Sequence, residues 1–291
     1  MLLCLGGYIY YSKNKDVENP INNILNKEEE KPKLKIIDTN SKTRPYAVMI
    51  NNISTARPYQ SGLQDAYIIY EIIVEGGITR YMALFKDQNT ERIGSVRSAR
   101  HYFIDYALEN DAYYVHWGWS PQAESDINSL NIDNINGLTY EGTYFYRDKT
   151  LKIPTEHTGF TSMDLLNKAV DKLNYRSVTN KDLLLNYSID EIDLSSKEGV
   201  IPANNVSITY SKTITSSYTY DANNKYYLRS VNETPEKDYV TKEQYHFKNI
   251  ITYQVVNNTI ANDNKDRQTI NNIGSGTGYY ITDGYAMPIK W

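Results

Sequence analysis

The chain has 291 residues, enough for two ordinary domains and a sizeable core. Apolar residues make up 40% and charged residues 23%, a globular balance, and 28 Tyr against 5 Phe and 3 Trp carry the aromatic content, which suits half-buried strands and wet binding surfaces. The formal net charge of −4 and the lack of a long Lys/Arg block argue against a nucleic-acid partner, and the single cysteine, Cys4, excludes an intrachain disulfide and any CxxC zinc or redox site.

Met1–Tyr11 is a short apolar run followed by Lys13 and Lys15. A run that short does not span a bilayer, which takes about 20 residues, so residues 1–15 read as a signal or anchor remnant. Cys4 is a lipidation candidate, although Leu3 stands where a lipobox carries a small residue. Residues 16–43 are charged and Asn-rich without apolar periodicity, as expected of a linker from an anchor to a folded body that begins near Arg44–Pro45.

Within the body, Tyr46–Ile50 reads as a buried strand and Arg57–Gly62 as a loop. Ala66–Val74 and Ile78–Lys86 are strand-like runs around Gly76-Gly77, which suggests a hairpin or a tight corner. A short strand at Arg92–Val96 leads into a helix after Ser98, where Ala99, Phe103, Ile104, Ala107 and Leu108 recur at helical spacing, and Ala112–Trp119 then alternates like a strand. Ser120-Pro121 is an N-cap and N1 pair for a second helix to about Leu130, and Thr161 or Ser162 caps a third with one apolar face. Alternating strands and helices predict an α/β domain with a mixed sheet over residues 44–185. From 186 to 291 the β-branched and Tyr-rich runs predict a smaller, mostly β domain, with Gly274–Gly278 running to Trp291 without an evident closing element.

Charge concentrates in Arg92–His101. Arg97 and Arg100 sit at a helix start, where the macrodipole already presents positive potential and disfavours cations. Either a bound anion offsets them or an internal carboxylate does, from Glu71, Glu75, Asp105 or Glu109. Glu75-Gly-Gly-Ile-Thr-Arg80 adds a second carboxylate–arginine pair beside glycines that serve either a close ligand approach or an ordinary tight turn. No P-loop, dinucleotide fingerprint or GxSxG elbow is present. His101, His116 and His157 lack metal-site spacing, so no metal centre is expected, and His116 shares a predicted sheet face with Tyr114 and Gly118. Arg147-Asp148 and Pro154–His157 are polar loop segments and candidates to close over a pocket, a convergence that spacing alone does not fix.

Arg44-Pro-Tyr-Ala-Val-Met-Ile-Asn51, Glu75–Arg80, Ile93-Gly-Ser-Val-Arg-Ser-Ala-Arg100 and Tyr114-Val-His116 resemble the YerB-like family of bacterial lipoproteins of unknown function, over about residues 44–291. The resemblance implies tethering at the extracytoplasmic face of the cell membrane and a tail beyond Trp291. More loosely, Met82–Phe85 with Ile93–Arg100 is similar to the LytR-CpsA-Psr envelope enzymes, which place arginines on a polyprenyl pyrophosphate and acidic residues on magnesium; no catalytic residue carries over. Two functions are therefore expected to compete. In one, a non-catalytic envelope protein takes an anionic small molecule, an envelope precursor or a protein partner in an arginine-rich pocket, without a cofactor; the candidate residues are Arg80, Arg97, Arg100, Glu75, His116, Asp105, Arg147 and His157. In the other, an enzyme transfers a phosphoryl or glycan group from a polyprenyl-pyrophosphate-linked precursor, with Mg²⁺ and with Glu75 or Asp105 as base or metal ligand. Pure scaffolding, with every arginine neutralised internally, is the third outcome.

Overall fold

The computed structural model describes residues 34–291. Cys4, the 1–15 anchor segment and residues 16–33 of the expected linker lie outside the described residues. The folded body starts earlier than Arg44: Ile37 is buried, Thr43 bridges Val178, and the Thr179 N–H donates to the Lys42 carbonyl at 2.8 Å.

A five-stranded mixed sheet organises the first half, in the order β2-β3-β1-β5-β6. Strand β1 (Tyr46–Asn51) is buried at every residue and lies antiparallel to β3 (Thr79–Phe85) and parallel to β5 (Tyr113–His116). Its unbroken apolar run is the pattern of a strand covered on both faces. β2 (Ile68–Ile73) forms the expected hairpin with β3, and β6 (Asn134–Asn136) runs parallel to β5. Between the parallel strands run α1 (His101–Glu109) and α2 (Pro121–Ser129), the latter capped by Ser120, whose hydroxyl accepts from the Ala123 N–H at 3.3 Å. Both pack on the face that carries Ala47, Met49, Met82 and Tyr114.

The opposite face carries Tyr46, Val48, Tyr81, Ala83 and Val115, and receives α4 (Met163–Leu173) through Leu166, Ala169 and Val170. Ser162 caps α4, accepting from the Leu165 N–H. Before it lie the short α3 (Gly137–Tyr140) and a small sheet of β4 (Ile93–Gly94), β8 (Gly159–Thr161) and β7 (Tyr146–Arg147), in that order. Each large side chain buried in these two layers contributes about 1.5–3 kcal/mol relative to exposure.

The second half is mostly antiparallel β, as its composition predicts. β10 (Asn205–Thr209), β11 (Thr215–Asp221), β12 (Tyr226–Val231), β13 (Thr234–Pro235) and β14 (His246–Phe247) form one sheet. A second sheet joins β15 (Asn249–Tyr253), β18 (Thr277–Thr282), β19 (Tyr285–Lys290) and β9 (Ile201–Pro202), and β16 (Val256–Thr259) pairs with β17 (Gln268–Asn271). The β18–β19 hairpin closes a segment in which the sequence shows no closing element.

Arg229 of β12 locks the halves together. Only 3% exposed, it pairs with Glu71 of β2 at 3.0 Å and with Glu236, and it donates to the Tyr81 and Ser216 hydroxyls. On the other face of the first sheet, Ile270 of β17 packs into the α1 layer, where Asn272 donates to the Tyr102 carbonyl and to Asp105. The second half thus grips both faces of the first sheet near its β2 edge.

Candidate functional site

The site grows from a wedge at the carboxyl ends of the parallel strands. β1 and β5 pair over Tyr46–Val48 and Tyr113–Val115, and beyond that point Ser95–Ala99 inserts between them. The Arg97 N–H donates to Met49 O and the Asn51 N–H to Ser95 O, both at 2.9 Å; on the other side the Trp117 N–H donates to Arg97 O and the Ala99 N–H to Gly118 O. Gly94 makes the turn into this wedge. Its φ of +146° favours glycine, and a Cβ there would lie 2.8 Å from the Phe160 ring. The wedge buries Val96 and Ala99 on opposite faces of the sheet and leaves Arg97 and Ser98 half-buried at its end.

The arginines separate into two groups. Glu75, in the β2–β3 turn, receives both Nε and Nη2 of Arg100, the latter at 2.9 Å, and lies 3.7 Å from Arg80 Nη2. Arg80 is 4% exposed and also donates to the Ser98 carbonyl at 2.7 Å. Burial alone raises the Glu75 pKa; the hydrogen bonds and charge of Arg100, then the charge of Arg80, outweigh it and hold the carboxyl below its usual range. Burial, with Arg100 and Arg97 nearby, lowers the Arg80 pKa to about 9, so it remains a cation at neutral pH. For these two arginines the internal carboxylate is the counter-charge. Arg97 is different. Among the described residues it has no carboxylate within 4 Å, and its one side-chain hydrogen bond is a 3.4 Å donation to the Glu156 carbonyl. Burial comes first in lowering its pKa; the charge of Glu156 opposes it, and the guanidinium of Arg100 adds to it.

Arg97 faces a cavity of about 330 Å³ whose other walls are Ser98, Arg147, the indoles of Trp117 and Trp119, Leu138 and Glu156. Another cavity, beside Tyr67, Lys86 and Tyr187, measures about 20 Å³, room for one water. Trp117 stands on edge in a slot between two glycines: a Cβ on Gly137 or on Gly159 would come within 2.5 Å of its ring. Its face carries the Arg147 guanidinium at 4.2 Å, and Arg147 also bonds Glu141 at 3.0 Å and donates to the Thr155 carbonyl. The turn Thr155–His157 therefore presents successive carbonyls to Arg147 and Arg97. His157 anchors it from behind, its buried Nδ1 2.9 Å from the Asn51 amide. Asn136, at the end of β6, accepts from the Gly118 and Leu138 N–H groups at 3.0 Å and ties the remaining wall together.

Of the candidate residues, Arg97 and Arg147 line the cavity, while Arg80, Arg100 and Glu75 form an ion-pair cluster linked to it through Ser98. His157 supports the cavity from behind. His116 is fully buried among Tyr114 and Trp119, 2.9 Å from the Gly118 carbonyl, and burial lowers its pKa to about 4. Asp105 lies on the exposed side of α1 and receives the Asn272 amide at 2.9 Å. Among the described residues no three His, Cys, Asp or Glu side chains converge as metal ligands. Sequence reasoning gave no role to Trp117, Trp119, Leu138, Ser98 or Asn51. Trp117, Gly118 and Trp119 do fall in the recognised alternating strand, and Glu156 in the polar loop.

Two family models match the chain: "Protein of unknown function (DUF3048) N-terminal domain" over residues 34–176 and the corresponding C-terminal domain over 206–291. The Bacillus subtilis (strain 168) protein named "Putative lipoprotein YerB" is 34% identical over 254 residues, 85% of this chain and 72% of that protein. The crystal structure of YerB from Bacillus subtilis superposes with a TM-score of 0.76 at 32% identity, covering 91% of this chain and 87% of that one. The N-terminal family match spans the mixed sheet and its helices, with the arginine wedge and the cavity, and the C-terminal match spans most of the antiparallel strands. This chain belongs to the two-domain DUF3048 family, to which the YerB resemblance read from its motifs also assigns it.

Proposed function

We propose that the protein is tethered to the membrane at the extracytoplasmic face of the cell envelope, where it binds an anionic small molecule or envelope precursor in the cavity of Arg97 and Arg147. The observation that carries this reading is the half-buried Arg97, which faces a 330 Å³ cavity and has no carboxylate within 4 Å among the described residues, although Arg80 and Arg100 beside it share Glu75. A guanidinium partly withdrawn from water without a paired carboxylate is disfavoured, and a bound oxyanion supplies both the charge balance and the forked hydrogen bonds. The position fits as well, since open α/β sheets bind ligands beyond the carboxyl ends of their strands. Tethering is supported by the lipoprotein name of the relative and by the apolar Met1–Tyr11 run.

The reading calls for no cofactor. A thermal-shift titration with inorganic pyrophosphate and isoprenyl pyrophosphates, with and without Mg²⁺, tests it, because a ligand selective for the native state raises Tm by mass action. A saturable rise that Arg97→Ala abolishes supports the pocket. If Mg²⁺ is required for the rise, the phosphoryl- or glycan-transfer alternative gains; no rise with any anion contradicts the reading.

A further inference from the structure

The cavity wall is not uniformly cationic. Glu156 stands at its mouth with its side chain 56% exposed; His157 Nε2 lies 4.0 Å from its carboxylate, and burial lowers the pKa of that ring, which leaves it neutral at pH 7. Neither Arg97 nor Arg147 comes within 4 Å of that carboxylate; both turn instead to the backbone carbonyls of residues 156 and 155. The carboxyl is held below its ordinary pKa, first by a hydrogen bond from its own backbone and then by His157 and the two arginines, so it is ionised throughout the neutral range. Arg97 without a carboxylate partner, Arg147 already paired with Glu141, and the unpaired carboxylate of Glu156 thus face one space. Beside them stands the half-buried indole of Trp119, whereas the Trp117 face is already taken by Arg147.

A purely anionic ligand would supply the counter-charge that Arg97 lacks, with Arg147 beside it, but would place its charge against Glu156. A ligand that carries an ammonium a short spacer away from its anion satisfies both signs, and an aromatic face is a further attractive surface for a cation. We infer that the cavity is built for a zwitterion: an ammonium group joined through a short spacer to a phosphate or carboxylate, with the anion on Arg97 and Arg147 and the ammonium between Glu156 and Trp119. This rests on the anion-pocket reading above and narrows its ligand class. The same chemistry occurs in a free amino phosphate and in an aminophospholipid headgroup.

The test compares O-phosphoethanolamine with ethyl phosphate, which keeps the phosphate and lacks the ammonium, by calorimetric titration of the full chain, its Glu156→Gln variant and its Arg97→Ala variant. The expected result is about fivefold tighter binding of O-phosphoethanolamine to the parent chain, the scale of one rim charge pair with an aromatic contact. That preference collapses to near unity in Glu156→Gln, and both ligands lose binding in Arg97→Ala. Equal binding of the two ligands, lost in Arg97→Ala, overturns the zwitterion and leaves the anion pocket standing. Binding of neither overturns both. Dihexanoyl phosphatidylethanolamine in the same titration separates the sources: tighter binding than the free headgroup assigns the site to lipid, and weaker binding assigns it to a soluble zwitterion.

Discussion

Replacing Glu75 by glutamine removes the one carboxylate shared by Arg100 and Arg80 and leaves the shape of the β2–β3 turn unchanged. Arg100 loses a two-point fork, and Arg80, 4% exposed, keeps only its 2.7 Å bond to the Ser98 carbonyl. Breaking one side of a buried pair costs about 3–5 kcal/mol. Here the side chains of Glu75 and Arg100 retain 18% and 12% exposure, which draws the expectation down to about 2–4 kcal/mol. Urea unfolding at pH 7 reads the loss, and the Glu75→Gln/Arg100→Gln double variant closes the cycle. Residues this tightly coupled show an interaction energy of about 1–3 kcal/mol. Because the folded pKa of Glu75 is depressed, its contribution is complete above the unfolded value of 4.5 and fades as pH falls through the lower folded value. Glu75→Gln therefore flattens the acid limb of the stability profile below about pH 4.5. A variant within about 0.5 kcal/mol of the parent chain at pH 7, or one with an unchanged acid limb, would refute the assignment of Glu75 as the structural counter-ion.

Other substitutions probe the rest of the account. Gly137→Ala drives a methyl to within 2.5 Å of the Trp117 ring; a loss of about 1–3 kcal/mol from overpacking and a shifted tryptophan emission are expected, and an unperturbed emission would contradict the slot. Arg229→Met leaves Glu71 and Glu236 buried without their cation, so a loss of about 3–5 kcal/mol is expected by chemical denaturation, together with separation of a single transition into two if this residue couples the halves. His116, lowered to about 4 from 6.5 by burial, is neutral in the folded chain. Its unfolded form takes up a proton first, so the associated stability is complete above about pH 6.5 and falls by roughly 3 kcal/mol towards pH 4; a His116→Gln variant with the same pH slope would refute this.

Local chemistry in the sequence carries much of the fold. Ser120-Pro121 and Ser162 mark helix starts because capping acts within one turn, and Gly76-Gly77 marks a hairpin because left-handed backbone is demanded at both positions. Strand β18 escapes the same reading. Gly278 interrupts its apolar pattern because the neighbouring strand runs so close that a Cβ would meet the Thr252 carbonyl at 1.9 Å. The early start of the folded body is equally hidden, since Lys42–Thr43 joins Val178–Thr179 across more than a hundred residues.

The site divides along the same line. Glycines, arginines and Glu75 advertise a charged cluster, and its members do meet. Which arginine takes Glu75 and which faces the cavity depends on the Ser95–Ala99 wedge between β1 and β5, an arrangement set by three separate stretches of chain. Trp119, Leu138 and Glu156 converge for a related reason: the first two come just after β5 and β6, and Glu156 comes from the turn between β7 and β8 of the small sheet.

The most direct test of the central claim is calorimetric titration of the full chain with inorganic pyrophosphate, beside Arg97→Ala and Arg147→Ala. A charge-assisted contact of about 2 kcal/mol predicts saturable binding weakened roughly thirtyfold in Arg97→Ala. Absence of binding to the parent chain, or an isotherm unchanged in Arg97→Ala, would contradict the claim that this unpaired arginine marks an anion site.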